Sequence, residues 1–123
     1  AYCALEEETA RVIRSTWAEK GYLADPHTAA GLSAAEQYRR ESGQVRPTVA
    51  LSTASPFKFA AAMLSSLGET VPENGFAALD ALSVFSKMPV PAPLDALRER
   101  EERFKTVVGK DEMRESVKNW LVK

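Results

Sequence analysis

The chain has 123 residues, of which sixteen are basic and seventeen acidic, and its formal net charge is −1. This balance offers no electrostatic surface for nucleic acid or for an anionic membrane, and no apolar run is long enough to span a bilayer. One cysteine and one histidine exclude a disulfide framework and leave almost no room for a zinc site made of these residues. We therefore expect a soluble, cytoplasmic protein without a signal peptide.

Two helices are predicted in the first third of the chain. Apolar residues recur at helical spacing from Leu5 to Lys20, and Gly21 is a suitable C-terminal stop. Asp25 is a good N-cap and Pro26 a good first residue for a second helix, which we expect to run to residue 40.

A single strand is predicted at residues 48–52. This segment, Thr48–Ser52, is short and apolar and is bounded by residues that break regular structure. A lone strand leaves its backbone donors and acceptors without a ladder. We therefore expect it to pair with residues 22–24, with another copy of the chain in a strand-mediated self-association, or with sequence outside the chain.

Four more helices are predicted after this strand. Ser55 as N-cap and Pro56 as first residue begin the first of them, and Gly68 ends it. Prolines 89, 91 and 93 form an extended connector, and Leu97 and Phe104 are expected to point inward from the helix that follows. The predicted ranges are 57–67, 76–88, 94–108 and 111 to the C-terminus.

Polar side chains at the start of the second helix form the first segment that could carry chemistry. Asp25, His27 and Thr28 lie together at a helix N-terminus, where they could bind an anion or move a proton. The alternative is that Asp25 only caps the helix and that His27 is a surface residue of its first turn.

Hydroxyl residues that follow the predicted strand form the second such segment. In open α/β sheets, ligands bind just outside the carboxyl ends of strands, and Thr53 and Ser55 are placed for that role. The alternative is that these hydroxyls only cap the next helix and satisfy the end of the strand.

The two segments together resemble the threonine synthase family, in the form typical of enteric bacteria and fungi. The first reads GYLxDPHTAxG at residues 21–31, and the second reads VxLSTASPxKF at residues 49–59. Their order and separation agree with the family, as do the proline-broken connector and the amphipathic C-terminal helix. The resemblance spans essentially the whole chain.

The resemblance implies the fold of the tryptophan synthase β-subunit group of pyridoxal-phosphate enzymes, known as fold type II. The chain would be its C-terminal part, an α/β fragment that is predominantly helical, with one clear strand and about six helices. Residues 1–68 would complete the cofactor-binding catalytic domain, and residues 69–123 would form a helical extension packed on it. The implied reaction converts O-phosphohomoserine and water to threonine and phosphate.

The resemblance also implies roles for particular residues. Thr53 matches the hydroxyl residue that hydrogen-bonds the pyridine nitrogen of pyridoxal 5'-phosphate. The segment of Asp25, His27 and Thr28 matches a motif near the cofactor and substrate. Ser55 stands where family members often have histidine, and Lys58 belongs to the same motif as Thr53.

The lysine that forms a Schiff base with the cofactor belongs to earlier sequence in the family, as does the phosphate-binding glycine-rich loop. We therefore expect no catalytic residue in this chain, no activity of the chain alone, and a missing N-terminal part of the same protein as its partner. Two alternatives stay open. One is a helical interaction domain without a catalytic role, and the other is part of a related dehydratase, which the Asp-Pro-His-Thr segment disfavours.

Overall fold

The computed structural model describes residues 1–122 and is predominantly helical. The six α-helices within these described residues are α1 (Glu6–Lys20), α2 (Pro26–Ser42), α3 (Ala60–Leu67), α4 (Gly75–Ser86), α5 (Ala92–Asp95) and α6 (Met113–Leu121). Short 3₁₀ helices lie directly before α3 (Pro56–Phe59), after α5 (Ala96–Glu99) and before α6 (Lys110–Glu112).

Local capping chemistry sets the boundaries of the first helices, as predicted. The Glu8 carboxylate accepts a hydrogen bond from the Leu5 N–H at 3.0 Å, which satisfies a backbone donor ahead of α1. Gly21 ends α1 with a left-handed backbone, φ 62°, a conformation that glycine adopts without steric cost. Asp25 and Pro26 begin α2, and Ser55 and Pro56 begin the turn that leads into α3.

The hydrophobic core is built from α1 to α4 and from the two segments that precede α2 and α3. Helix α1 packs against α2 and α3, and α3 packs against α4. The first segment contributes Leu23, Ala24 and Ala29 to this core and the second contributes Phe57, whereas residues 48–53 are exposed. The buried apolar residues are Val12, Ile13, Leu23, Ala24, Ala29, Phe57, Ala60, Met63, Leu64, Ala78, Leu79 and Leu82.

The predicted strand at 48–52 is wrong. The structure shows no strand anywhere in residues 1–122, and Thr48–Ser52 has no regular secondary structure. Val49 is 86% exposed and Leu51 80% exposed. The pairing with residues 22–24 is also absent, since neither segment forms a strand or a bridge. A strand exists only through a ladder with a neighbour, and the described part of the chain supplies none.

The predicted helix at 94–108 is largely wrong. Helix α5 begins at Ala92, inside the predicted connector. The 3₁₀ helix that follows it ends at Glu99, and helical structure resumes only at Lys110. Residues 100–109 are exposed and irregular, and neither Leu97 nor Phe104 is buried. Thr106, Val107 and Val108 are consecutive β-branched residues with low helix propensity, and no buried contact compensates for this in residues 100–109.

The C-terminal helix α6 forms as predicted, but none of its residues is buried. Its apolar residues recur at helical spacing, and all are exposed. These residues, which we call the α6 stripe, are Met113, Val117, Trp120 and Leu121. Across residues 1–122, no helix combines the length and the apolar character needed to cross a membrane.

Candidate functional site

Asp25 is the buried centre of the candidate site. Its side chain is almost fully buried at the start of α2. Oδ1 accepts the backbone N–H of His27 at 3.0 Å and that of Thr28 at 3.4 Å. Oδ2 accepts a hydrogen bond from the Thr28 hydroxyl. Both carboxylate oxygens therefore have partners within the first turn of the helix they cap.

These hydrogen bonds determine the charge of Asp25. Burial acts to raise the pKa of the carboxyl, because it disfavours the charged form. The Thr28 hydroxyl, the backbone N–H groups of His27 and Thr28, and the His27 side chain together outweigh burial, and the pKa is lowered from its ordinary value. Asp25 is therefore an ionised, fully hydrogen-bonded carboxylate at neutral pH.

His27 lies at the surface beside Asp25. Its Nδ1 is 3.3 Å from Asp25 Oδ1, and 68% of its side chain is exposed. The imidazole ring lies against Phe59, with 5.0 Å between ring centroids. This contact joins the start of α2 to the end of the second motif. Phe59 was not predicted as a site residue, and its place in the VxLSTASPxKF motif was the one available signal.

A hydroxyl pair forms a second link between the two motifs. Thr28 Oγ1 lies 3.2 Å from Ser52 Oγ. A hydroxyl has one proton, and an ionised carboxylate can only accept, so Thr28 donates to Asp25 and accepts from Ser52. Ser52 was not predicted as a site residue, although it lies directly before Thr53 in the second motif.

The remaining predicted residues lie on the second segment. Thr53 is exposed, and its hydroxyl makes no hydrogen bond within the described range 1–122. Ser55 Oγ accepts the Phe57 N–H at 3.3 Å and so caps the 3₁₀ helix. Lys58 is exposed on that helix. The structure thus brings Asp25, His27, Thr28 and Ser52 together and leaves the functional groups of Thr53 and Lys58 open to solvent.

A cavity of about 630 Å³ lies beside His27, between the first turns of α1 and α2 and the later part of α3. This volume is within the range of small-molecule sites. Its wall includes the carboxylate residues Glu6 and Glu7 and the hydroxyl residues Ser65 and Ser66. Within residues 1–122, no group of three or more His, Cys, Asp or Glu side chains is arranged to hold a metal ion.

Comparison with known proteins points to one family. The family described as "Threonine synthase, C-terminal" matches residues 28–120. The chain is 38% identical to threonine synthase of Pseudomonas aeruginosa over 98 residues, which cover 80% of the chain and 17% of that protein. It is 38% identical to threonine synthase of Corynebacterium glutamicum over 79 residues, or 63% of the chain and 16% of the relative.

A mammalian relative covers more of the chain. Threonine synthase-like 1 of Mus musculus is 29% identical over 127 aligned positions, which include 96% of the chain and 17% of the relative. The chain therefore spans only 16–17% of the length of these three relatives.

Proposed function

Because this chain belongs to the threonine synthase family, we propose that it forms the C-terminal part of an enzyme that converts O-phosphohomoserine and water to threonine and phosphate. The contact between the two motifs is the observation that carries this proposal. The Thr28–Ser52 hydrogen bond and the packing of His27 on Phe59 hold the Thr53 segment beside the start of α2. In our proposal these residues form one wall of a pocket whose other walls come from the remaining length of the protein.

We propose that pyridoxal 5'-phosphate is the cofactor of this pocket. When bound, this group supplies an electron sink for reactions of amino-acid substrates. The chemistry of the available side chains fits its pyridine nitrogen, which accepts a hydrogen bond. The Thr53 hydroxyl is exposed and can donate to it, whereas both oxygens of Asp25 already have partners. A neutral hydroxyl partner would leave that nitrogen mostly unprotonated.

The other residues of the segment have supporting parts in this proposal. Ser55 begins the 3₁₀ helix, and Phe57 is buried in the core, so together they hold the turn after Thr53 in place. Lys58 presents an exposed cation from the same turn, near the substrate or cofactor. The chain supplies no lysine in the context that the family uses to bind the cofactor covalently, so we propose that it has no activity alone.

We further propose that residues 1–68 complete the cofactor-binding domain and that residues 69–123 extend it. The packing of α4 on α3 supports a continuous connection between the two parts. The α6 stripe exposes four apolar residues, and burial of such a stripe is the usual source of stability for a short helix. We propose that it packs against the upstream part of the protein.

The proposal is tested by assaying the full-length protein that contains this chain with two substrates, O-phosphohomoserine and L-threonine. We expect release of phosphate and threonine from O-phosphohomoserine, and little turnover of L-threonine. Deamination of L-threonine without action on O-phosphohomoserine would favour the related dehydratase. A full-length protein that binds no pyridoxal phosphate and turns over neither compound would favour the helical interaction domain.

A further inference from the structure

The two ring nitrogens of His27 have different surroundings. Nδ1 lies 3.3 Å from Asp25 Oδ1, while the ring packs on Phe59. Nε2 has no polar partner among the residues from 1 to 122, and the side chain is largely exposed. One nitrogen is therefore held next to a buried carboxylate, while the other has no such neighbour on a side chain that also lines the adjoining cavity.

The charge of the carboxylate decides which nitrogen holds the proton of a neutral imidazole. Asp25 is ionised and can only accept hydrogen bonds, so a proton on Nδ1 is favoured and a lone pair on Nδ1 is disfavoured. A carboxylate behind a histidine fixes the tautomer and the ring orientation in the same way in many metal and catalytic sites. Glu6 and Glu7 of α1 are the other carboxylate residues that line the cavity.

We propose that Asp25 is a positioning residue for His27, holding the imidazole proton on Nδ1 and leaving Nε2 as the proton acceptor of the cavity. This role deepens the proposed function, because it provides a base beside the segment that contains Thr53. The proposed function determines only which molecule gives a proton to Nε2. The position of the proton on the ring can be measured without substrate, cofactor or turnover.

Nitrogen-15 NMR of the full chain tests this proposal, because His27 is the only histidine and gives one pair of ring signals. At a pH where the ring is neutral, we expect Nδ1 to show the shift of a protonated nitrogen and Nε2 that of an unprotonated one. Asp25→Asn retains an N-cap side chain but removes the charge, and we expect it to increase the fraction with the proton on Nε2. Glu7→Gln removes a carboxylate from the same cavity and should leave the tautomer unchanged.

Two results would overturn the proposal. One is a wild-type chain in which the proton resides mainly on Nε2. The other is a tautomer ratio that Asp25→Asn leaves equal to that of the wild type. If Asp25→Asn does not fold, the wild-type spectrum decides alone. Since the sample holds no substrate, failure of the threonine synthase assay and failure of this measurement are separate outcomes.

Discussion

Thr28 Oγ1 and Ser52 Oγ lie 3.2 Å apart, although 24 positions separate the two residues in the chain. The Thr28 hydroxyl also donates to the buried Asp25 carboxylate. A single side chain therefore connects the cap of α2 to the segment that contains Thr53.

Replacing Thr28 should weaken the folded state more than replacing Ser52. Thr28→Val removes the hydroxyl that serves the buried carboxylate, and we expect a loss of about 1–3 kcal/mol in the free energy of unfolding. Ser52→Ala is the matched control, because it removes only the exposed hydroxyl of the Thr28–Ser52 pair. We expect it to change the free energy of unfolding by no more than about 0.5 kcal/mol. Urea denaturation of both variants measures the difference. Equal losses would show that Asp25 does not depend on Thr28.

The free energy of unfolding should decrease as pH decreases, because the Asp25 carboxylate becomes protonated. The carboxyl has a lower pKa in the folded chain than its ordinary value of about 3.9, so the unfolded chain binds the proton first as pH decreases. The stabilisation is fully present from about pH 5 upward and is lost as pH falls through the folded pKa. We expect Asp25→Asn to show a smaller loss than the wild type in urea denaturation between pH 7 and pH 3.

A variant of an exposed carboxylate provides the control for this pH series. Glu36 pairs with Arg11 on the surface, and both side chains are more than half exposed. Glu36→Gln should therefore retain the pH dependence of the wild type. A flattened pH profile in Glu36→Gln, together with an unchanged one in Asp25→Asn, would contradict the account.

Two leucines, one on α4 and one on α6, test which of these helices belongs to the hydrophobic core. Leu82 on α4 is fully buried, whereas Leu121 on α6 is 70% exposed. We expect Leu82→Ala to cost about 2–5 kcal/mol of unfolding free energy and Leu121→Ala to change it by no more than about 0.5 kcal/mol. A comparable cost for both, measured by thermal or urea unfolding, would show that α6 packs on the chain itself.

Limited proteolysis should separate the helical core from the C-terminal region. Arg100, Arg103 and Lys105 lie in the exposed, irregular segment before α6, where cleavage by trypsin requires little unfolding. We expect mass spectrometry to identify these sites as the first to be cut in the isolated chain. First cuts inside α1 would contradict the packing described above.

Helix boundaries could be predicted from the sequence because their causes are local. Gly21 ends α1, and Asp25 with Pro26 begins α2, through contacts within a few residues. Ser55 and Pro56 act in the same way ahead of α3. Side-chain caps, proline at the first position and glycine after the last can all be recognised in a single sequence.

Non-local features could not be predicted in the same way. The segment 48–52 has the composition of a strand, but strand formation needs a neighbour that residues 1–122 do not provide. The prediction of a helix at 94–108 was wrong, because the β-branched run of residues 106–108 has low helix propensity and gains no tertiary packing to offset it. The contact of Thr28 with Ser52 depends on how the core brings two distant segments together, and no local pattern indicates it.

We propose that Thr53 supplies a hydroxyl to the cofactor of a threonine synthase. The most direct test is the rate of phosphate release from O-phosphohomoserine by the full-length protein that contains this chain, with Thr53→Val compared to Thr53→Ser. Serine keeps the hydroxyl, so we expect it to retain most of the activity. Valine keeps the shape but loses the hydrogen bond, and we expect it to lower kcat/KM by about 1–3 kcal/mol in transition-state free energy. Wild-type activity in Thr53→Val would contradict the account.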